Sequence, residues 1–218
     1  MNRNLFDKLA GRYDAWFDSP NGRKIFEVET NALQELMRGT PRPWLEVGVG
    51  TGRFAVALGV EDGIDPSPNV LEIAGKRKIK TQLAYGENLP CADSTYGTVL
   101  MTVTICFLSE PHKALNECAR VLKNNGRLIV GLVPADSPWG ELYAQKGREG
   151  HAFYSAAKFY TCKNIIEMCR NKGFDFEQAR SCLFEHPETE VNAYSVSQEG
   201  IVAGSGFVGM RFKLADPI

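Results

Sequence analysis

The sequence predicts an α/β fold, a seven-stranded and mainly parallel sheet with its last strand antiparallel and helices on both faces. Three observations carry that expectation. Short runs of β-branched and apolar residues alternate with segments whose apolar positions recur at helical spacing, the pattern of βαβ units. Glycines cluster at Gly48, Gly50 and Gly52, where the first such run meets its helix. The last two runs are joined without a helical segment, which favours a final antiparallel pair.

Length and composition admit this fold and exclude others. The 218 residues, 44% apolar and 23% charged, suit a single domain spanning 1–218 with an ample core. With 25 basic and 26 acidic residues the net charge is −1, which argues against a dedicated nucleic-acid binder. No run of about 18 apolar residues is present to span a bilayer, and residues 1–11 lack the apolar stretch of a secretory leader. Six cysteines (91, 106, 118, 162, 169 and 182) include no Cys-x-x-Cys pair, so neither a zinc ribbon nor a redox motif is expected, and no metal. They read as reduced thiols of a cytoplasmic protein.

The elements follow in order. Ser19-Pro20 opens a helix in which Ile25, Val28, Ala32, Leu33 and Leu36 recur at helical spacing, stopped by Gly39 and Pro41. Strands are expected at 44–47, at 60–64 beyond a short helix over 53–58, and at 81–84 beyond a helix capped by Ser67. The run 98–103 reads as a buried parallel strand. A helix opened by Pro111 should close at Asn124-Asn125-Gly126, before a fifth strand over 127–133. The stretch 134–160 reads as irregular and polar-aromatic. Thr161 caps a last helix, and late strands are expected at 174–184 and 206–214.

The glycine loop points to a ligand. Glycine there lets a backbone approach a ligand with no Cβ in the way. A dinucleotide fingerprint reads G-x-G-x-x-G, whereas this loop reads G-x-G-x-G and follows Glu46. An acidic side chain at that place suits an ammonium group and repels a pyrophosphate. Asp65, 19 residues on at the end of the next strand, can accept both hydroxyls of a ribose. The pair describes a phosphate-free nucleoside with a positive tail.

These residues belong to a longer series of motifs: LEVGVGTGR at 45–53, GIDPS at 63–67, ENLP at 87–90, ICFLSEP at 105–111 followed by Ala114-Leu115, and ARVLKNNGRLIV at 119–130. In order and spacing the series resembles class I S-adenosylmethionine-dependent methyltransferases, in a small-molecule branch similar to those of quinone biosynthesis. It covers residues 44–133 well and 161 onward more loosely. The resemblance implies a Rossmann-like fold, S-adenosylmethionine as cofactor and S-adenosylhomocysteine as product. It further implies that Gly48, Gly50 and Gly52 lie under the methionine part and that Glu46 reaches its amino group. Asp65 would hold the ribose hydroxyls with Pro66 nearby, and Gly86, Glu87 and Asn88 would border the adenine. Thr102, Val103 and Thr104 would contact the methionine end, with Tyr13 of the YDAW segment (13–16) as a cover. Two departures stand out: Tyr85 replaces an aspartate that relatives place near the adenine amino group, and Cys106-Phe107 replaces a histidine pair.

Methyl transfer from a sulfonium relies chiefly on positioning. With no histidine at 107, an acceptor already nucleophilic, such as an amine or thiol, is favoured over a phenol that needs a base. An aromatic wall suits a cationic donor or an amine, and the candidate acceptor residues are Trp16, Phe107, Trp139, Tyr143 and Tyr154. They belong to an N-terminal helical cap over 1–40 and to the 134–160 insertion, expected to form the acceptor side. His151 is the one histidine considered as a base; its simpler reading is an exposed loop residue. The basic run at 76–80 reads as a solvated helix end. Partners are limited to a small-molecule acceptor, without nucleic acid or membrane, in a monomer or homodimer. Rival readings are an RNA or protein methyltransferase, lacking the Pro-Pro-Tyr segment of base-amino enzymes, and a noncatalytic S-adenosylmethionine-binding protein.

Overall fold

A computed structural model of the protein describes residues 3–193 and 195–215. Two helices, α1 (Arg3–Trp16) and α2 (Pro20–Met37), precede β1 (Trp44–Val47), α3 (Arg53–Leu58), β2 (Asp62–Asp65), α4 (Pro68–Lys76) and β3 (Lys80–Leu83). Then come β4 (Tyr96–Thr102), α5 (Pro111–Val121), β5 (Leu122–Leu132), α6 (Pro138–Arg148), α7 (Cys162–Arg170), β6 (Phe174–Cys182), β7 (Gln198–Glu199) and β8 (Phe207–Leu214). The sheet order is β3-β2-β1-β4-β5-β8-β6-β7. Strands β1 to β5 pair in parallel. β8 runs antiparallel to both β5 and β6, and the short β7 adds an antiparallel edge not expected from sequence.

The helices start where local chemistry predicts. Ser19, Ser67 and Thr161 each accept a backbone N–H of the first turn, and Thr161 completes a capping box with Asn164. Every residue of β4 is buried, as a central parallel strand requires. Its Val99 and Met101 pack with Leu115 and Cys118 of α5 and Ile165 and Cys169 of α7. Leu100 faces the opposite layer, with Val28, Leu33 and Leu36 of α2 and Phe54 and Ala55 of α3.

Three expectations are corrected. The fifth helix ends at Val121, not at 124–126, because Leu122 already pairs with Tyr96. Residues 123–126 form a bulge inside β5, with Asn125 at φ 59°. The 134–160 stretch is not irregular: Ser137 accepts from Gly140 N at 3.1 Å and caps α6, with Pro138 in the first turn. The basic run is not simply solvated, since Arg77 donates to Thr51 O at 2.6 Å and to Asp14 at 2.9 Å. The six cysteines are all unpaired, four of them buried. No described helix is long and apolar enough to cross a membrane.

β1 neighbours both β2 and β4, so the connections leave its end in opposite directions. In an open α/β sheet that divergence opens a crevice at the carboxyl ends of the strands. The loops after β1, β2 and β4 meet there.

Candidate active site

The loop after β1 turns sharply, with Gly48 at φ 77° and Gly50 at φ 52°. Gly48 and Val49 donate to Ile64 O at 2.7 and 3.0 Å, tying the loop to the end of β2. Only glycine fits at 48, since a Cβ there would stand 2.3 Å from the Thr104 side chain. Gly50 N donates to Asp65 Oδ2 at 3.1 Å, and Ser67 N donates to Oδ1 at 2.9 Å. Two backbone donors thus fix the Asp65 carboxyl at the loop. Burial outweighs them and pushes its pKa up to about 6.

Glu46 is 2% exposed, and its Oε2 has no hydrogen-bond partner among the described residues. Burial pushes its carboxyl up to about 8; the nearby Thr102 hydroxyl opposes the rise and Asp65 adds to it. The Thr102 hydroxyl is likewise without a hydrogen-bond partner. A buried carboxyl with one oxygen left unsatisfied is unusual in a native core and marks a place where a ligand can supply the missing partner.

The end of β4 carries local strain. Val103 adopts φ 51°, a left-handed conformation that a β-branched side chain disfavours. Its N–H is held by Gly131 O at 2.8 Å, and Thr104 Oγ1 donates to Thr102 O at 3.1 Å. Phe107 follows in a 3-10 turn, Ile105–Phe107.

α1 lies across this crevice. Arg53 Nε donates to Asp14 Oδ1 at 3.0 Å and Arg53 Nη2 contacts Asp18 at 2.7 Å, while Arg77 contacts Asp14 at 2.9 Å. Burial alone would raise the Asp14 carboxyl, but the two guanidiniums hold it well below the usual carboxylate range. Ser67 Oγ donates to Asp7 at 2.5 Å, adding a second tie. So fixed, Tyr13 places its ring over Gly50, with Cε1 3.4 Å from where a Cβ would stand. Burial first, then Glu46 and Asp65, raise the Tyr13 hydroxyl well above its ordinary pKa.

Beneath α1 runs one cavity of about 460 Å3. Gly48, Gly50, Asp65 and residues 102–104 line one end, with Tyr13 and Phe107. The other end is aromatic: Trp16, Trp139, Tyr143, His151 and Tyr154. Tyr154 stacks between His151 and Tyr143, with centroids 4.3 Å apart on each side. Trp139 meets Tyr143 edge-on at 6.0 Å and anchors itself by donating to Glu185 O at 2.8 Å. Phe6 bridges Phe107 at 5.1 Å and Phe153 at 5.5 Å, closing the roof between α1 and the 134–160 segment. His151 is therefore part of the cavity wall, not a free loop residue, and burial with Arg12 and Lys146 nearby lowers its pKa.

Glu46, Gly52, Pro66, Gly86, Glu87 and Asn88 are not on the cavity wall. Glu87 Oε1 accepts from Ser109 N at 2.9 Å, and Asn88 is exposed. Several wall residues escaped the sequence reading, and one of them is a buried acid. Glu29 of α2 is 6% exposed and faces the cavity. Its signal was present, because Ile25, Glu29 and Leu33 share one helical face, so a carboxylate interrupts an apolar stripe. No group that could hold a metal was found among the described residues.

A family model described as a methyltransferase domain matches residues 45–130. A crystal structure of a protein from Thermotoga maritima, described as an S-adenosylmethionine-dependent methyltransferase and possible histamine N-methyltransferase, superposes with a TM-score of 0.87 at 34% identity, covering 97% of this chain and 98% of that one. An uncharacterised protein of Mycobacterium tuberculosis is 39% identical over 201 residues, 92% of this chain and 70% of its own. A demethylmenaquinone methyltransferase of Thermotoga maritima is 27% identical over 202 residues, 78% of this chain and 86% of that one.

Proposed function

The chain belongs to the class I S-adenosylmethionine-dependent methyltransferases, and we propose that it methylates a small-molecule nucleophile held in the cavity beneath α1. The observation that carries this reading is the continuity of that cavity from the glycine loop and Asp65 to the aromatic end. One end suits a nucleoside cofactor and the other an acceptor of modest size.

The residues present fit the cofactor. Glu46 Oε2 is buried and unpartnered, and an ammonium group would satisfy it. Asp65 offers a carboxyl already oriented by two backbone donors. Gly48 and Gly50 present bare backbone, and residues 102–104, on the same wall, would border the methionine end. Pro66, off the cavity wall, is assigned to the ribose beside Asp65, and Gly86, Glu87 and Asn88, likewise off it, to the adenine end. When bound, S-adenosylmethionine supplies an electrophilic methyl group open to in-line displacement.

The protein's own part is positioning and exclusion of water. Holding donor and acceptor in line is worth about 7–11 kcal/mol of barrier. Tyr13, Phe6, Phe107 and Phe153 pack ring against ring into an aromatic roof that limits the access of solvent to the reacting centre. Trp16, Trp139, Tyr143 and Tyr154 hold the body of the acceptor, and His151, kept neutral, is the imidazole available to take a proton from it. The N-terminal helices and the 134–160 segment thus make up the acceptor side of a single domain, and the unpaired cysteines support a cytoplasmic place for it.

The test is calorimetry with S-adenosylhomocysteine, followed by transfer from labelled S-adenosylmethionine to a set of amines, thiols and phenols. Cofactor binding with turnover of at least one acceptor is expected. Failure to bind the nucleoside would overturn the reading.

A further inference from the structure

The cofactor reading accounts for two buried acids, Asp65 on the cavity wall by ribose hydroxyls and Glu46, off that wall, by an ammonium group. Glu29 is not. It projects from the buried face of α2, between Ile25 and Leu33, into the cavity that Tyr143, Tyr154, Trp139 and Leu183 also line. Burial is the one influence on its carboxyl, with no hydrogen bond or cation among the described residues to offset it. The groups that feel its charge are Tyr13 of α1, Tyr143 of α6, Tyr154 in the turn after α6 and Cys182 of β6, none of them cationic. The guanidinium on the cavity wall, Arg12, is exposed at the α1 side.

A lone carboxyl in an apolar stripe is expensive to bury, and a leucine would pack the same site at no such cost. Burial drives its pKa up to about 8 in the ligand-free protein, so it is poised to ionise when a cation arrives. The aromatic rings of Tyr143, Tyr154 and Trp139 share the cavity wall with it, an apolar surface that suits the body of an organic cation.

We propose that Glu29 is the anionic anchor of the methyl acceptor, and that the acceptor is an organic amine whose protonated nitrogen pairs with Glu29 while an apolar or aromatic body lies against Tyr143, Tyr154 and Trp139. The assignment rests on the methyltransferase reading and adds to it the charge class of the substrate. Glu29 sets specificity by charge: an isosteric alcohol can donate a hydrogen bond to the carboxyl but brings no positive charge, and a carboxylate meets like charge.

The experiment compares three probes of one shape, phenethylamine, 2-phenylethanol and phenylacetate, titrated into the full chain with and without S-adenosylhomocysteine. The amine should bind about 10- to 100-fold more tightly than the alcohol, the range for a charged hydrogen bond, and phenylacetate more weakly than either. In Glu29→Gln the amine and alcohol should bind within about twofold of each other, and S-adenosylhomocysteine affinity should be unchanged within the same factor. Glu29→Leu, which completes the apolar stripe, should keep the fold and lose the same preference. Equal binding of amine and alcohol to the unaltered protein, or a preference that survives both substitutions, would overturn the anchor. Loss of S-adenosylhomocysteine binding in the unaltered protein would instead overturn the cofactor reading, a distinct result.

Discussion

Arg53 holds Asp14 through two donors, Nε to Oδ1 at 3.0 Å and Nη2 to Oδ2 at 3.1 Å, joining the first residue of α3 to the helix that roofs the cavity. Both side chains are largely buried, at 19% and 18% exposure. Asp14→Asn should therefore cost about 1–3 kcal/mol of stability, the range for charged hydrogen bonds lost in partly dry surroundings. Because the folded Asp14 carboxyl lies below its ordinary value, its contribution is present at neutral pH and fades as the solution is acidified. Urea titrations of both proteins at pH 7 and pH 3 test this; the difference between them should shrink at the lower pH.

Asp65 orients the loop and is assigned the ribose. Asp65→Asn should weaken S-adenosylhomocysteine binding by about 1–3 kcal/mol, since a charged acceptor of two hydroxyls becomes a neutral amide. Calorimetry reads the change directly, and an unaltered dissociation constant would remove Asp65 from the ribose.

The buried acids give the ligand-free protein an inverted response to pH. Glu29 and Glu46 ordinarily titrate near 4.5 and in the fold near 8. Between those values the unfolded chain has released the proton that the folded chain retains, so stability falls as pH rises, by up to about 1.4 kcal/mol per unit for each group. Asp65 adds a smaller effect between its ordinary 3.8 and about 6. Glu46→Gln should flatten the decline, and chemical denaturation at pH 5 and pH 8 measures it. Saturating S-adenosylhomocysteine should flatten it too, because an ammonium beside Glu46 restores the ionised form.

The aromatic stack separates acceptor binding from cofactor binding. Tyr154→Ala removes the ring between His151 and Tyr143 and should raise the acceptor KM about tenfold, one aromatic contact set being worth roughly 1–1.5 kcal/mol. S-adenosylhomocysteine affinity should stay within twofold, about the level of measurement error. Excising 139–154 would be a poor substitute, since Trp139 is 3% exposed in the core and its loss would unfold the layer beneath.

Local chemistry made most of the architecture legible. Ser19, Ser67 and Thr161 announced helices because a side-chain oxygen beside a free N–H acts within one turn. Gly48, Gly50 and Asp65, which line the cavity, were singled out by loop spacing, a local property too, while Tyr13 and residues 102–104 came only with the family resemblance. What escaped depended on distant partners. The bulge at 123–126 arises from where Leu122 meets Tyr96, a register that no short window contains. Ser137-Pro138 carried the same signature as Ser19-Pro20, and the density of aromatic and polar residues after it hid the helix. Glu29 was passed over because on a helical face it counted as one polar residue among apolar ones; only the fold shows that nothing answers its charge.

β8 is not the rim of the sheet but its interior seam, paired on one side with β5 and on the other with β6. Its Gly209 also makes room for Leu36 of α2, whose methyl would otherwise collide with a Cβ at 2.5 Å. A polypeptide halted before Phe207 would forfeit two ladders at once and strip the cover from the helix that carries Glu29. During synthesis the cavity beneath α1 thus stays unfinished until residues that do not line it have emerged and threaded between their neighbours.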